Sequence, residues 1–147
     1  MNIEGIDHVH VYVRDLERAR RFFSELLGTK FTPPWPVENL KLRASINPWG
    51  IELIEPTAAD SGVAREMERR GEGLYAISLR VANLDEAVAE MESRGFKPKV
   101  RIDIPGVIRE ADFDPKDSFG VTIELCEYGP LKEATWAESM RIVDEAG

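Results

Sequence analysis

Hydrophobic and polar residues alternate at the start of the chain and then change to a helical spacing. Residues 7–23 read DHVHVYVRDLERARRFF, and valines at every second position predict a β-strand with one apolar face. We expect a helix to cover that face, so the opposite face, with His8, His10 and Tyr12, looks into solvent or a polar cavity. The helix that follows has an apolar stripe that we expect to be core. The stripe consists of Leu16, Ala19, Phe22, Phe23, Leu26 and Leu27.

This pattern occurs twice along the chain. Residues 8–19, HVHVYVRDLERA, align with residues 76–87, AISLRVANLDEA, and in both copies a short polar residue, Asp15 or Asn83, is suited to cap the helix. Later in each copy, GIELIE matches VTIELCE. Each copy therefore predicts a βαβββ module, and the fold class is α+β.

The predicted modules fill one domain. The first spans about 5–56, and the second spans about 73–128. A linker helix is expected at about 57–72, and an amphipathic helix at about 131–146. A chain of 147 residues suffices for an ordinary globular core.

Charge and composition narrow the classes of partner. A formal charge of −8 and a pI near 4.9 argue against nonspecific binding to nucleic acid or anionic membranes, so a small molecule is the expected partner. We find neither a secretion signal nor an apolar run that could span a bilayer. The one cysteine, Cys126, has no internal disulfide partner, which fits the reducing cytoplasm. These features predict a cytoplasmic protein.

The duplication also predicts where polar chemistry gathers. Glu52 and Glu124 are equivalent residues of apolar strands, and pseudo-twofold symmetry should bring them to one concave surface with His8. Two carboxylates in a partly desolvated site need a shared proton or a cation. A divalent metal fits, because an imidazole and two carboxylates are suitable ligands. A basic side chain fits equally well, and the candidates are Lys41, Arg43 and Arg109.

Several motifs resemble one known superfamily. The opening IDHV with its following LLG, the paired IEL strands and the GEGL turn resemble the vicinal oxygen chelate proteins, which include glyoxalase I, extradiol dioxygenases and bleomycin-resistance proteins. The likeness extends from about Ile6 to Glu127, and DPKDSFGVTIELCEY is most similar to the methylmalonyl-CoA epimerase branch. The resemblance implies a cup-shaped open β-barrel of the glyoxalase type and a homodimer.

The resemblance also implies a metal site with one departure. His8, Glu52 and Glu124 match family ligands for a divalent ion such as Zn, Mn, Co, Ni or Fe. The remaining ligand is usually a histidine that opens the second module, but this chain has Ala76 there. An iron dioxygenase is therefore less favoured, since its iron needs two histidines and a carboxylate.

Two classes of function follow from this site. The first is a metal-dependent isomerase, epimerase or lyase of a small carbonyl compound, acting through an enediolate-type intermediate. In it Glu124 is the base, and His10 contacts substrate or carries a proton. The second is a metal-free protein that binds or sequesters a small molecule, and Ala76 favours it.

Four further residues are candidates for contacts with substrate. Arg43 should share an inward face with Lys41 and Ser45, where its guanidinium would suit a carboxylate-bearing substrate, unless it extends to solvent. The aromatic candidates could instead be core or dimer interface. They are Tyr12, Trp35 and Tyr75.

Overall fold

The computed structural model describes residues 1–131, so the helix expected at about 131–146 lies, apart from Leu131, outside the described residues. Residues 1–131 form eight strands: β1 Ile3–Tyr12, β2 Trp35–Val37, β3 Leu42–Ile46, β4 Ile51–Pro56, β5 Gly73–Val81, β6 Pro98–Ile104, β7 Ile108–Phe113 and β8 Thr122–Tyr128. The helices are α1 Leu16–Leu27, α2 Gly62–Arg70 and α3 Leu84–Ser93. In the part of the chain that the structure describes, no helix is long and apolar enough to cross a membrane.

The order of elements confirms the duplicated α+β fold. β1, α1, β2, β3 and β4 form one βαβββ module, β5, α3, β6, β7 and β8 form the other, and α2 is the linker helix. The short strand β2 lies in a proline-rich segment that the strand pattern did not predict. Its Trp35 pairs with Ala44 in an antiparallel register.

The chain divides into two compact units that differ slightly from the modules. The N-terminal unit begins at His10 and runs to Leu74, with strand order β2-β3-β4-β1. Among the described residues, the C-terminal unit combines residues 1–9 with residues 75–131, with order β1-β5-β8-β7-β6. His8 therefore lies in the C-terminal unit, although its strand β1 belongs to the first module.

Helix boundaries follow from capping residues. The side chain of Asp15 accepts a hydrogen bond from the backbone N–H of Arg18, and Asn83 accepts one from Glu86 in the same way. These bonds satisfy donors that a helix start leaves without intrahelical partners. α1 ends at Gly28, whose φ of 66° is the left-handed conformation that glycine adopts readily.

A carboxylate of β4, the last strand of the first module, holds the start of helix α1. Glu55 accepts the backbone N–H of Leu16 at 3.2 Å and pairs with Arg43, its register partner, at 2.8 Å. The expected inward orientation of Arg43 is therefore wrong. The register instead places the alternate residues of β3, Leu42, Ala44 and Ile46, on the face of Glu52, and Arg43 on the opposite face with Glu55.

The C-terminal unit repeats this anchor. Glu127 accepts the backbone N–H of Leu84 at 2.6 Å, and its register partner Arg109 lies 3.7 Å away. Arg109 also donates to Asp85 in the first turn of α3 at 2.7 Å. A negative carboxylate at a helix start is stabilising because the helix dipole is positive there. The same device fixes a helix against a strand in both modules.

Each helix covers one apolar sheet face. Val81, Leu84, Val88, Ala111, Phe113 and Leu125 belong to the core beneath α3, and Val13, Leu16, Phe31 and Leu53 belong to the core beneath α1. The apolar stripe of α1 is only partly core, since Phe22 is 56% exposed and Leu26 is 64% exposed. These two side chains, four residues apart, lie on the flank of the helix rather than on its sheet-facing side.

We predict that Glu127→Ala lowers the free energy of unfolding by about 1–3 kcal/mol, because it removes a charged acceptor from a helix N-terminus. Glu127→Gln should cost less, since its amide oxygen can still accept from Leu84. Urea unfolding followed by circular dichroism measures both, with Glu92→Gln on the exposed side of α3 as the charge-matched control. Equal stability of Glu127→Ala and this control would contradict the anchor.

Candidate metal centre

The C-terminal unit has a polar sheet face opposite α3. Leu125 packs in the core beneath the helix, so alternation along β8 sends Glu124 and Cys126 to the other face. The register places Ser78 opposite Glu124, and Glu110 opposite Cys126. Glu124 is only 2% exposed, so this face holds a carboxylate that is shielded from water.

His8 lies between two carboxylates. Its Nδ1 is 2.8 Å from Asp7 Oδ2, and its Nε2 is 3.3 Å from Glu124 Oε1. With the proton on Nδ1, Nε2 presents a lone pair, which is the form of histidine that binds metals. A lone pair and a carboxylate oxygen at this distance repel unless a proton or a cation is shared between them.

Asp7 is itself held in place by neighbours. The Tyr128 hydroxyl donates to Asp7 Oδ2, and Arg80 Nε lies 3.4 Å from Asp7 Oδ1. Burial alone would raise the pKa of Asp7, but the bonds from His8 and Tyr128 and the charges of His8 and Arg80 lower it below its ordinary value. Burial and the Asp7 charge raise the pKa of Tyr128. Asp7 is thus ionised near neutral pH, and Tyr128 keeps its proton.

These residues fit a divalent metal. His8, Glu110 and Glu124 each offer one ligand atom, and these atoms lie within 4.8 Å of one another. Two atoms bound to one ion at about 2.0–2.2 Å lie roughly 2.8–3.6 Å apart at tetrahedral or octahedral angles, which brackets the His8–Glu124 distance. Asp7 supplies the carboxylate that commonly orients a metal-binding histidine through its other nitrogen.

Glu110 was missed by the sequence analysis. The signal was available, since Ala111 and Phe113 are buried apolar residues of β7 and alternation turns Glu110 to the opposite face. The internal repeat gave no reason to choose it, because only the last strand of each module carried matching glutamates. Several strands carry carboxylates, and the sequence alone does not show the strand register that brings Glu110, rather than another of them, next to His8 and Glu124.

In the N-terminal unit, His10 and Glu52 form a second pair. His10 Nε2 lies 3.9 Å from Glu52 Oε2, and His10 is 8% exposed. The register places Ile46 opposite Glu52, and Ala44 opposite Ile54, so the face of Glu52 is otherwise apolar. The expectation that Glu52 joins His8 and Glu124 around one ion stays a prediction.

The aromatic candidates separate by strand face. Trp35 pairs with Ala44 and so shares the face of Glu52, and Tyr12 follows His8 and His10 on one face of β1. Tyr75 is 4% exposed and shares the face of Ile77 and Leu79, which is opposite to that of Glu124. This position fits the core alternative for Tyr75, and its contact with substrate stays a prediction.

Ala76 lies on the polar face without supplying a ligand. Ala76 is fully buried and pairs with Thr122. This pair lies two residues along the strands from the Ser78–Glu124 pair and on the same face. A histidine at position 76 would therefore point to the same side of the sheet as Glu124 and lie next to its strand. Ala76 therefore offers no ligand atom on this face, as its side chain requires.

Cys126 is a buried thiol on the same face. Burial, together with the charges of Asp7, Glu124 and Glu110, raises its pKa to about 12. The thiolate, which is the form that attacks electrophiles, is therefore scarce near neutral pH. Cys126 fills space in this face rather than acting as a nucleophile.

Comparison with known proteins decides the family. The model of the Glyoxalase/Bleomycin resistance protein/Dioxygenase superfamily matches residues 7–106. The chain belongs to this superfamily. The resemblance drawn from the sequence motifs is thereby confirmed, together with the glyoxalase-type fold.

Relatives within the superfamily point to one branch. An uncharacterised Bacillus subtilis protein, YqjC, is 31% identical over 127 residues, covering 83% of this chain and 91% of the relative. Human mitochondrial methylmalonyl-CoA epimerase is 28% identical over 132 residues, covering 84% and 74%. The crystal structure of the Mycobacterium tuberculosis methylmalonyl-CoA epimerase superposes with a TM-score of 0.79 at 27% identity, covering 90% and 93%. These relatives support the epimerase-like branch of the superfamily.

We predict that Asp7→Asn weakens Mn²⁺ binding by about 10–100-fold, because His8 loses the acceptor that orients its ring. Isothermal titration calorimetry measures the affinity, and Asp103→Asn on the exposed part of β6 is the control. An affinity equal to that of the control would mean that Asp7 does not prepare His8 for an ion.

We also predict that native Cys126 resists alkylation. With a pKa of about 12, only about one thiol in ten thousand is ionised at pH 8, and the fraction rises as pH increases toward the pKa. Iodoacetamide labelling followed by mass spectrometry should be at least about 100-fold slower in native than in urea-unfolded protein. Equal rates would contradict the buried, neutral thiol.

Proposed function

We propose that the protein is a metal-dependent epimerase or isomerase that moves a proton on the carbon beside a carbonyl group. The observation that carries this proposal is the 3.3 Å approach of His8 Nε2 to Glu124 Oε1, with Glu110 beside them. Positive charge shared between the His8 nitrogen and the carboxylates of Glu110 and Glu124 would stabilise this cluster, and a divalent cation supplies more of it than one proton does. Arg80, with a side chain 43% exposed, is directed to Asp7 instead.

The relatives suggest the class of substrate. The curated relatives include epimerases of methylmalonyl-CoA, a 2-substituted acyl thioester with a free carboxylate. The hydrogen to be moved in such a compound lies between two carbonyl carbons and is therefore acidic. We take acyl thioesters of this type as the first substrates to test.

In the proposed reaction Glu124 acts as the base. The proton on the carbon beside the carbonyl passes to the Glu124 carboxylate, and the electron pair moves onto the carbonyl oxygen to give an enediolate-type intermediate. Return of a proton to the opposite face of that carbon inverts its configuration. His10 donates a hydrogen bond to a substrate oxygen or carries the second proton, because an imidazole can donate from one ring nitrogen and accept at the other.

His8, Glu110 and Glu124 would hold the ion, and Glu52 is a further proposed ligand. A bound divalent ion would supply positive charge to the carbonyl oxygen as its negative charge develops. The burial of Glu124 keeps water from that position, and Asp7 holds the imidazole of His8 in one orientation. We propose Tyr12 and Trp35 as apolar contacts for the substrate.

A second function is supported by Ala76. A small buried side chain where the resemblance implies a histidine suits a protein that binds a small molecule without a metal. In that case a proton held between His8 and Glu124 would stabilise the pair. The two functions differ in whether a chelator changes ligand binding.

We predict that the wild-type protein, loaded with Mn²⁺, exchanges the C2 proton of methylmalonyl-CoA for deuterium in D₂O, as followed by proton NMR. His8→Ala should lose both the metal, measured by elemental analysis, and the exchange. His10→Ala should keep the metal and slow the exchange by about 10²–10⁴-fold, because it removes a proton-transfer group.

Each of three results would contradict one part of this proposal. Exchange that persists in metal-free protein would exclude the metal-dependent mechanism. Ligand binding that is unchanged by chelator, with no exchange in any variant, would support the metal-free binding protein. Loss of metal in His10→Ala as complete as in His8→Ala would make His10 a ligand rather than a proton carrier.

A further inference from the structure

On the polar face of the C-terminal unit, one position where a metal-binding histidine is expected has a methyl group, and an additional carboxylate lies nearby that could replace that ligand. Ala76 offers only a methyl group, so β5 contributes no ligand at the place where the superfamily resemblance implies a histidine. Glu110 instead comes from β7, on the other side of β8. Glu110 has no equivalent among the residues that the resemblance or the internal repeat singled out.

The register explains how Glu110 reaches this cluster. It pairs with Cys126, and Cys126 in turn lies two residues from Glu124 on the same face of β8. Diagonal neighbours across adjacent strands lie about 7–8 Å apart at the backbone, which a long side chain can span. Short side chains at Cys126 and Ser78, both fully buried, leave room above the sheet for the carboxylate.

We propose that Glu110 is a metal ligand that replaces the missing histidine, giving a site of one imidazole and at least two carboxylates. This inference rests on the metal dependence in the proposed function. Its basis is the position of the Glu110 carboxylate, whose oxygen lies within 4.8 Å of the ligand atoms of both His8 and Glu124. Exchanging an imidazole for a carboxylate also makes the site harder, which favours Mn²⁺ and Mg²⁺ relative to Zn²⁺.

The first experiment measures Mn²⁺ affinity by calorimetry in protein without substrate. Glu110→Gln keeps the size of the side chain but removes its charge, and it should weaken binding by at least about tenfold. Glu92→Gln on α3 makes the same chemical change on an exposed surface and should leave affinity unchanged. Equal affinities in the two variants, with both folded by circular dichroism, would overturn the role of Glu110.

The second experiment restores an imidazole. In the double variant Ala76→His/Glu110→Gln, we expect the ratio of Zn²⁺ to Mn²⁺ affinity to rise at least about tenfold over wild type, because a nitrogen ligand replaces an oxygen ligand. If the buried position 76 does not accept the larger side chain, the same ratio is measured in Glu110→His, where a rise is also expected. An unchanged ratio in the variant that folds would overturn the proposal.

These measurements separate the inference from the proposed function. Weak Mn²⁺ binding in Glu110→Gln, with no proton exchange in wild type, would support Glu110 as a ligand and reject the epimerase. Wild-type Mn²⁺ binding in Glu110→Gln, with exchange intact, would reject Glu110 and leave the epimerase standing.

Discussion

The contact between His8 and Glu124 is the constraint on which the polar face depends. The imidazole is held from behind by Asp7, so its other nitrogen cannot turn away from the Glu124 carboxylate 3.3 Å from it. Glu110 adds another negative group to the same cluster. Desolvated like charges at this spacing are unfavourable, and their repulsion is relieved only by positive charge placed among them. The polar face therefore favours a shared proton or a cation at the place where its proposed chemistry would occur.

The scaffold around this arrangement is the same in both modules. Glu55 with Arg43, and Glu127 with Arg109, each fix a helix start to the last strand of a module. The equivalent site positions have diverged, since the first module has His8 where the second has Ala76. This difference is physically reasonable. The carboxylate on the helix face holds a helix start against a strand, and both modules need this contact for packing. A residue on the polar face is instead constrained by the ion or ligand that binds there.

The sequence was most informative where periodicity and capping determine structure. The duplicated modules, the caps at Asp15 and Asn83 and the linker helix could be predicted because each depends on residues close together in the chain. Arg43 was placed on the wrong face because β3 has buried residues on both sides, so hydrophobicity alone could not distinguish them. Glu110 was overlooked because its neighbours in the cluster come from strands paired by long-range register. Its contribution depends on the order β5-β8-β7, which the order along the chain does not reveal.

The charge of the protein also constrains how the proposed chemistry could proceed. A chain with a formal charge of −8 that places Glu110 and Glu124 beside His8, with Asp7 at the other nitrogen of the imidazole, repels an anionic substrate. Arg80 offsets part of this charge, but its 3.4 Å approach to Asp7 directs it to the carboxylate behind His8. An acyl thioester carrying carboxylate and phosphate groups would therefore meet an unfavourable field until a cation neutralised the cluster. On this argument a cation held by His8, Glu110 and Glu124 would have to be present before an anionic substrate, and its charge would also stabilise negative charge on a substrate oxygen.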